Sequence, residues 1–542
     1  MTEYNLHFSK PYEGVLAMGT YLNPGNSGFA RIVKRDYVDK TEMISLVNDV
    51  IDTSDNLICV SRPRRFGKSY AAQMLCAYYD RNVDSDQLFQ GFKISQEPSY
   101  RRFLNQYNVL YVDMTYVKPF CDDYRNITDY LSERITEELL EAYPALSASG
   151  ELPSTLINAV QLCGRKFIMI IDEWDAPIRE NPCAGKDYLE FLRSLFKSSG
   201  TTARIFSAVY MTGILPIKKD GSQSAISDFE EYTMLYPYQF AEYIGFTDLE
   251  VQELCKKKGA DYNRMKQWYD GYVFSEIGAV YNPNSVMKAL RYRDFHSYWT
   301  ETSAAESLMD YITKPYTGLP KLIAELIGGI EVPLNPVGFA NDLETFRSTD
   351  DVLTLLVHLG YLSYNSRRKV VCIPNEEIRR EFSQAVRGVK HNETIKRLQE
   401  SDQLFYDTIH GNEEAVAEQI EKIHREETAP LHYNRESSLR SVIKLAYYTY
   451  RDHYLQWEEL PAGDGYADIV YLPKKDSDYP ALVIELKWNQ SAGGAIRQIQ
   501  SRNYPEALKN FGGDILLVGI SYDKNAPAGA RKHSCRIVKS CR

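Results

Sequence analysis

The sequence predicts an α/β protein with several domains. Between about residues 25 and 290, short apolar runs alternate with longer helical patterns, as they do where helices cover a parallel sheet. A second group of strand-like and helical segments occupies residues 430–542. A chain of 542 residues is too long for one hydrophobic core, and its length indicates roughly three or four domains.

Composition narrows the class of protein. The formal net charge of −10 argues against a protein that coats nucleic acid by bulk electrostatics, although it leaves room for a local basic groove. The nine cysteines are scattered without a CxxC pair, which indicates reduced thiols rather than a zinc site. The N-terminus has no signal-peptide pattern, and no apolar run approaches the about 18 residues that span a bilayer. We therefore expect a cytoplasmic protein without a membrane partner.

Four apolar runs predict the strands of the first domain, residues 1–295. They cover residues 56–61, 108–114, 166–172 and 204–213. The third run, KFIMIID, is apolar nearly throughout, which is typical of a strand buried on both faces of a parallel sheet.

The first predicted strand leads into a phosphate-binding pattern. Ser61 is followed by RPRRFGKSY and then by an apolar helix. In such a loop backbone N–H groups and a helix N-terminus face the anion, a lysine (here Lys68) reaches the phosphates, and a serine (here Ser69) binds Mg²⁺. The usual pattern has glycine five residues before Gly67, where this chain has Arg62. A plain basic turn is therefore an open alternative on this motif alone.

Acidic residues at the end of the third strand favour the phosphate-binding interpretation. Asp172 and Glu173 come at its carboxyl end, where open α/β sheets bind their ligands. Asp172 is predicted to hold Mg²⁺ through water and Glu173 to polarise the attacking water. Thr212, at the end of the fourth strand, is a candidate sensor of the γ-phosphate. The alternative is that two acids simply end a buried strand at the surface.

The middle of the chain is predicted to be helical. Residues 296–395 end in a helix, a glycine turn, two short β-rich runs around NSRR and a closing helix, which predicts a winged-helix-like domain. This domain either binds DNA or only packs between its neighbours. Residues 396–429 are strongly charged and predict an exposed helical connector.

The last domain, residues 430–542, carries a pair of carboxylates near a lysine. Asp468 opens one predicted strand, and Glu485 and Lys487 follow on another strand with the spacing D-x(16)-E-x-K. Because side chains alternate along a strand, Glu485 and Lys487 share one face, and a paired strand would bring Asp468 beside them. Two close carboxylates repel each other unless a cation lies between them, so Asp468 and Glu485 are predicted Mg²⁺ ligands.

Several blocks together resemble a known family. The segments YVDKTEMI, SRPRRFGKS, IDEWDAPI, WYDGY, YNPNS and IPNEEIRREF, spread over residues 17–390, are similar to the bacterial AAA-ATPase-like family, whose members are often fused to a PD-(D/E)XK nuclease domain. In that family arginine usually stands at the position of Arg62. The resemblance implies a P-loop NTPase fold, ATP as cofactor and the following nucleotide-binding residues: Arg62, Arg64, Arg65, Phe66, Gly67, Lys68, Ser69, Asp172 and Thr212. The parts played by Asp39, Lys40 and WYDGY do not follow from it, and structural turns are the simpler interpretation.

The C-terminal block resembles the PD-(D/E)XK nuclease core in the order of its elements and its spacing. On that resemblance Glu436 is the additional helical acid, and Gln498 with Tyr504 matches the Gln-x(5)-Tyr signature of the following helix. The resemblance implies the catalytic set Asp468, Glu485, Lys487, Glu436 and Gln498, with Glu173 serving the ATPase.

The sequence thus predicts an ATPase joined to a Mg²⁺-dependent nuclease. The nucleic-acid partner is DNA in preference to RNA, and homo-oligomerisation is left open. A groove of basic residues would bind the phosphates of the nucleic acid: Arg497, Arg502, Arg531, Lys532, Arg536 and Lys539. By analogy with the family, a role in defence or mobile-element biology is implied. Two alternatives remain: a nucleotide-dependent switch that binds nucleic acid or a partner without cleavage, and a nuclease whose P-loop binds ATP without turnover.

Overall fold

A computed structural model describes most of the chain. The described residues are 19–197, 199–217, 226, 228–275, 277–299, 308, 311, 312, 314, 316, 319–327, 329–339, 346, 348–387, 393–427, 443, 446, 447, 454–462, 465–473, 479–501, 508, 513–527 and 530–540. The chain divides into two compact units, Met1–Ser303 with Pro333–Glu381 and Ala304–Val332 with Phe382–Arg542. The predicted middle domain, 296–395, contributes to both units, and the four-domain division stays a prediction.

A parallel sheet forms the centre of the first unit. Its strands are β1 (Leu57–Ser61), β2 (Asn108–Asp113), β3 (Phe167–Asp172), β4 (Phe206–Gly213) and β5 (Glu230–Tyr232), in the order β2-β3-β4-β1-β5. Each neighbouring pair is parallel. All residues of β1, β3 and β4 are buried, because helices cover both faces of the sheet. The four strands predicted from apolar runs are confirmed.

Helices of the first unit up to β4 surround this sheet. They are Ser27–Val33, Met43–Val50, Lys68–Tyr79, Asp86–Phe89, Tyr100–Phe103, Met114–Val117, Ile127–Ala142, Leu152–Cys163, Ala176–Glu180, Pro182–Phe196 and Ser199–Ile205. The helix Ile127–Ala142 shows how the sequence decides the packing: Ile127, Leu131, Ile135 and Leu139 recur every four residues and are the buried face.

Two small sheets follow. The strands β6 (Phe246–Thr247), β7 (Tyr272–Phe274) and β8 (Gly278–Tyr281) pair in the order β6-β8-β7, and β9 (Val332–Pro333), β10 (Ser363–Asn365) and β11 (Val370–Cys372) pair in the order β10-β11-β9. The helices of this part are Asp248–Lys258, Tyr262–Tyr269, Pro283–Tyr292, Thr349–Leu359 and Glu376–Arg387. The last two flank the β10–β11 hairpin, which is the order of elements that the sequence predicted. The winged-helix-like domain itself stays a prediction.

The motifs WYDGY, YNPNS and IPNEEIRREF, to which the sequence assigned no chemical role, contact one another in this part of the chain. The Asn375 side chain donates to the Asp270 carbonyl over 2.8 Å. A Cβ on Gly271 would lie 1.9 Å from the Pro374 carbonyl oxygen, so only glycine fits there. The Ser285 hydroxyl donates to the buried Glu377 carboxylate. WYDGY, YNPNS and IPNEEIRREF are thus joined by packing and hydrogen bonds, as structural turns would be.

The second unit has a mixed sheet. Its strands β12 (Tyr454–Ala462), β13 (Gly465–Pro473), β14 (Ala481–Trp488), β15 (Ile515–Tyr522) and β16 (His533–Lys539) pair in that order. Only β14 and β15 are parallel; the other pairs are antiparallel. The helices are Leu319–Ile327, Glu393–Ile409, Glu413–Glu427 and Ala492–Ser501. Among the described residues, no helix has the length and apolarity needed to cross a membrane.

The two faces of this sheet bury different side chains. Ile484 and Ile520 belong to one core, together with Leu404 and Ile420 from the helices Glu393–Ile409 and Glu413–Glu427. Val483 and Leu517 belong to the other core, which includes Ile496 of the helix Ala492–Ser501. The alternation therefore puts Glu485 and Lys487 on the side of the sheet that Ala492–Ser501 covers.

A buried polar chain ties the helix Glu413–Glu427 to β16. His533 Nδ1 lies 2.5 Å from Glu421 Oε2, and His533 Nε2 lies 2.8 Å from His424 Nδ1. Burial lowers the pKa of His533 despite the nearby carboxylate. Burial alone would raise the pKa of Glu421, but its hydrogen bonds with His533 and two backbone N–H groups lower it. These directions fit an ionised Glu421 that accepts from a neutral His533.

We predict that acidification loosens β16. A histidine whose pKa is lower in the folded state contributes stability that is complete above its usual pKa of 6.5 and is lost below it, by about 1.4 kcal/mol per pH unit until the folded pKa is reached. Glu421 adds a loss in the same direction below 4.5. Hydrogen exchange of the β15 and β16 amides, corrected for its intrinsic pH dependence, should be faster at pH 5.5 than at pH 7.5.

A His533→Gln variant should lose this extra acid sensitivity, whereas His410→Gln, at an exposed histidine, should keep it. Equal corrected protection of β16 at the two pH values in the wild-type protein would contradict the prediction.

Candidate active sites

The turn after β1 leads directly into the N-terminus of a helix. Gly67 has a φ of +100° and is the N-cap of the helix that starts at Lys68. A Cβ on Gly67 would meet no atom within 4 Å, so the left-handed backbone, and not crowding, favours glycine. The N-terminal N–H groups of this helix open at the carboxyl edge of the sheet, which suits an anion.

Lys68 is buried in the loop that it would use to bind phosphate. Its ammonium donates to the carbonyl oxygens of Arg62, over 3.1 Å, and Pro63, over 3.0 Å. It also pairs with Glu173 Oε1 at 3.2 Å. The structure thus joins the lysine of the loop and the glutamate at the end of β3, two residues that the sequence predicted separately.

Asp172 lies beside the hydroxyls of Ser69 and Thr212. Thr212 Oγ1 donates to Asp172 Oδ1 over 2.5 Å, and Ser69 is a second side-chain hydrogen-bond partner of Asp172. Burial raises the pKa of Asp172 to about 6, against the lowering effect of these two bonds. A carboxylate that burial penalises gains from a nearby cation. The oxygen ligands of Asp172 and Ser69 therefore fit Mg²⁺ by their chemistry.

Glu173 is held by two cations. Lys68 contacts one carboxylate oxygen, and Arg179 Nη2 contacts the other, Oε2, at 2.9 Å. Burial acts to raise the pKa of Glu173, but Lys68 and Arg179 outweigh it and lower the pKa. The residue has a φ of +53°, an unusual value for a glutamate at the edge of a strand. Strained backbone of this kind is common where function fixes a side chain.

Arg179 is fixed by a second acid. Its Nε lies 2.8 Å from Asp175 Oδ2, and the same carboxylate accepts the N–H groups of Ile214 and Leu215, after β4. The sequence alone does not single out Arg179 among the arginines of the first unit. The structure pairs it with Glu173 of its own chain. The i,i+4 spacing of Asp175 and Arg179 on a short helix was the available signal.

Other residues of the loop face the protein. The Arg62 guanidinium is fully buried and donates to the carbonyls of Ser61, Tyr232 and Phe240 at 2.8, 3.0 and 3.3 Å. Arg65 Nη1 donates to the Tyr298 carbonyl over 2.8 Å, and the buried Phe66 ring meets Tyr272 edge to face. Arg64 is exposed, and its charge helps to lower the pKa of Glu173. The nucleotide contacts proposed for these four residues stay predictions.

The second unit brings most of its predicted residues together. Ile469 of β13 pairs with Ile484 of β14, which places Asp468 beside Glu485. Asp468 Oδ2 accepts the Leu486 N–H over 2.8 Å. The buried Glu485 receives Lys487 Nζ at 3.1 Å and a short hydrogen bond from Gln498 Nε2, both at Oε1. Gln498 comes from the helix Ala492–Ser501, which covers this face.

Two carboxylates from neighbouring strands, Asp468 and Glu485, are oxygen donors of the kind that Mg²⁺ prefers. Within the described ranges no three His, Cys, Asp or Glu side chains come together as a metal cluster. Glu436 and Tyr504 lie outside the described residues. Several of the predicted basic contacts are paired with acids at the surface: Arg531 with Glu414, Arg536 with Glu413 and Lys539 with Asp514.

Arg62→Lys offers a test of what Arg62 does. A lysine ammonium cannot reproduce the planar fork that serves three carbonyls, so we predict a loss of about 3 kcal/mol in the free energy of unfolding. Denaturant unfolding checks this, with the exposed Arg64→Lys as control and an expected change within about 0.5 kcal/mol. Weaker ATP binding at unchanged stability would instead assign Arg62 to the phosphates.

A family model matches part of the first unit. Residues 24–222 match the model of a family described as a predicted AAA-ATPase. No curated protein matches the chain. Among solved structures, the chain is similar to C. elegans PCH-2, with 10% identity and a TM-score of 0.22 over 59% of this chain and 67% of that one.

Two further solved structures are also similar. The Aeropyrum pernix ORC2 protein, in ADPNP-ADP complexes, shares 12% identity at a TM-score of 0.30, over 66% of this chain and 97% of that one. Cdc6p of Pyrobaculum aerophilum shares 10% identity at a TM-score of 0.25, over 64% of this chain and 93% of that one. Scores this low carry no argument about function. The family match concerns residues 24–222, which are similar to an AAA-ATPase-like domain.

Proposed function

We propose that the first unit binds and hydrolyses ATP. The observation that carries the proposal is the meeting of Lys68, Ser69, Asp172, Glu173 and Thr212 at the carboxyl edge of β1, β3 and β4. Phosphoryl transfer needs little covalent help from a protein, and catalysis is mainly positioning and charge stabilisation. These five residues supply a cation, a base and hydroxyl donors within one small space.

Each residue has a separate task in this proposal. Lys68 leaves Glu173 and binds the β- and γ-phosphates, and the helix N-terminus after Gly67 supplies further donors. Ser69 and Asp172 would hold Mg²⁺, which would neutralise charge on the phosphates. Glu173 accepts a proton from water as the water oxygen attacks the γ-phosphorus, the bond to the bridging oxygen breaks, and ADP and phosphate leave. Thr212 holds Asp172 and the Glu173 N–H in place.

Two variants separate binding from hydrolysis. We predict that Lys68→Ala weakens ATP binding at least about 10-fold, because the principal phosphate cation is lost. Glu173→Gln should keep binding while turnover falls by roughly 10²–10⁴-fold, because an amide accepts no proton. Fluorescent-nucleotide titration and phosphate release measure these two effects.

Glu190→Gln, at an exposed glutamate on the helix Pro182–Phe196, is the matched control and should behave as the wild type. Phosphate release that survives both Lys68→Ala and Glu173→Gln would contradict the assignment.

We further propose that the second unit is a Mg²⁺-dependent nuclease, with DNA favoured as substrate. The supporting observation is that Asp468 and Glu485 lie on adjacent strands, with Lys487 and Gln498 on Glu485. The carboxylates would hold the ion, which would polarise the phosphodiester and activate water. Lys487 would orient that water and neutralise charge that develops on the phosphate. Gln498 fixes the Glu485 carboxylate.

The alternative function is a nucleotide-dependent switch that binds nucleic acid without cutting it. We predict that wild-type protein with Mg²⁺ cleaves plasmid DNA, that EDTA stops cleavage, and that Glu485→Gln and Lys487→Ala each lower the rate at least about 100-fold. Gel analysis with and without ATP measures the rate and any gating by nucleotide.

Glu418→Gln, at an exposed position on the helix that covers the opposite face of the sheet, is the control and should cleave normally. Binding of DNA by a wild-type protein that never cleaves it would favour the switch. Cleavage by Glu485→Gln at the wild-type rate would remove Glu485 from the site.

A further inference from the structure

The Glu173 carboxylate is contacted on both of its oxygens, but by cations that differ in how firmly they are held. Lys68 contacts Oε1 at 3.2 Å, and Arg179 contacts Oε2 at 2.9 Å. A general base must present an oxygen to water, so one of these contacts has to open before hydrolysis. Which contact opens decides the orientation in which Glu173 works.

Lys68 is the cation that can leave. Its remaining contacts among those described are two carbonyl oxygens of its own loop, from Arg62 and Pro63. A lysine ammonium is a compact charge on a flexible stem, and phosphate is a stronger partner for it than a neutral carbonyl. The arrival of a nucleotide phosphate beside the loop would therefore draw Lys68 away from Glu173 Oε1.

Arg179 is fixed in a way that Lys68 is not. Its guanidinium uses Nε for Asp175 and Nη2 for Glu173, so its plane is set by two carboxylates. Asp175 is itself buried and accepts the backbone N–H groups of Ile214 and Leu215 at 3.1 and 2.9 Å. The neighbouring Gly213 has no space for a side chain, because a Cβ there would lie 2.6 Å from Trp174 and 2.8 Å from Asp175.

We infer that Arg179 is a positioning residue for hydrolysis: it keeps hold of Glu173 Oε2 while nucleotide binding removes Lys68 from Oε1, which then faces the attacking water. Arg179 thus acts within its own chain and through Glu173. We expect Arg179 to contribute little to the affinity for nucleotide, because its two described side-chain partners are protein carboxylates. The inference rests on the ATPase function proposed above.

Loss of Arg179 should therefore lower the rate of ATP hydrolysis without lowering the affinity for ATP. Without Arg179 the Glu173 side chain loses the contact that fixes its orientation, and misplacement of a catalytic group by about 1 Å costs up to roughly 100-fold in rate. The affinity for ATP should change little. A residue that merely stabilised the fold would instead affect both quantities, or affect the rate independently of Glu173.

The test compares variants of the whole chain with the wild-type protein. We expect Arg179→Gln to lower kcat roughly 10–100-fold with the Kd for ATP unchanged within about 3-fold, and Arg179→Lys to restore part of the rate because it keeps the charge. In the Glu173→Gln background, Arg179→Gln should cause no further loss in single-turnover rate. Arg204→Gln, at an exposed arginine, is the control and should behave as the wild type.

The outcomes separate this inference from the function on which it rests. Wild-type turnover by Arg179→Gln, or a further loss of the same size in the Glu173→Gln background, would overturn the inference while leaving the ATPase intact. A Glu173→Gln protein that hydrolyses ATP normally would overturn the proposed ATPase mechanism itself. If Arg179→Gln melts well below the wild type, Arg179→Lys in the two backgrounds decides by the same comparison.

Discussion

The first unit depends on the pairing of three buried carboxylates, at and just after the end of β3, with hydrogen-bond donors and cations. Asp172 and Asp175 are almost completely buried, and Glu173 between them is mostly so. Leaving such groups unpaired would cost several kcal/mol each. Asp172 is matched with hydroxyls, Asp175 with two backbone N–H groups and Arg179, and Glu173 with Lys68 and Arg179.

This neutralisation joins segments that are distant in sequence. Lys68 comes from the loop after β1, Arg179 from the short helix after β3, and Thr212 from the end of β4. Because all three strands are parallel, their carboxyl ends meet at one edge, and charges there are able to pair across the sheet. The second unit solves a similar problem around Glu485, where Lys487 and Gln498 share one carboxylate oxygen in a buried position.

The strands and the candidate site residues were predictable where a short sequence pattern determines them. Mainly apolar runs predicted the four main strands of the first sheet, and period-two alternation put Glu485 and Lys487 on one face. The pairing of Asp468 with the strand of Glu485 needed only the assumption of neighbouring strands. The packing role of Arg62 was not predictable in this way. The Arg62 guanidinium donates to carbonyls 170 and 178 residues further along the chain, and no local signal specifies such partners.

Contacts between residues that are far apart in sequence also explain a motif to which the sequence assigned no chemical role. WYDGY supplies Tyr272, whose ring packs on Phe66, and its hydroxyl donates to the Gly360 carbonyl. A Cβ on Gly360 would lie 2.7 Å from Pro63 Cβ, so this position has no room for a side chain. The loop that would bind phosphate is thus supported on its outer side by residues some 200 to 300 positions later. Because this packing supports the backbone of the loop, we expect Lys68 to respond to a ligand by a movement of its side chain.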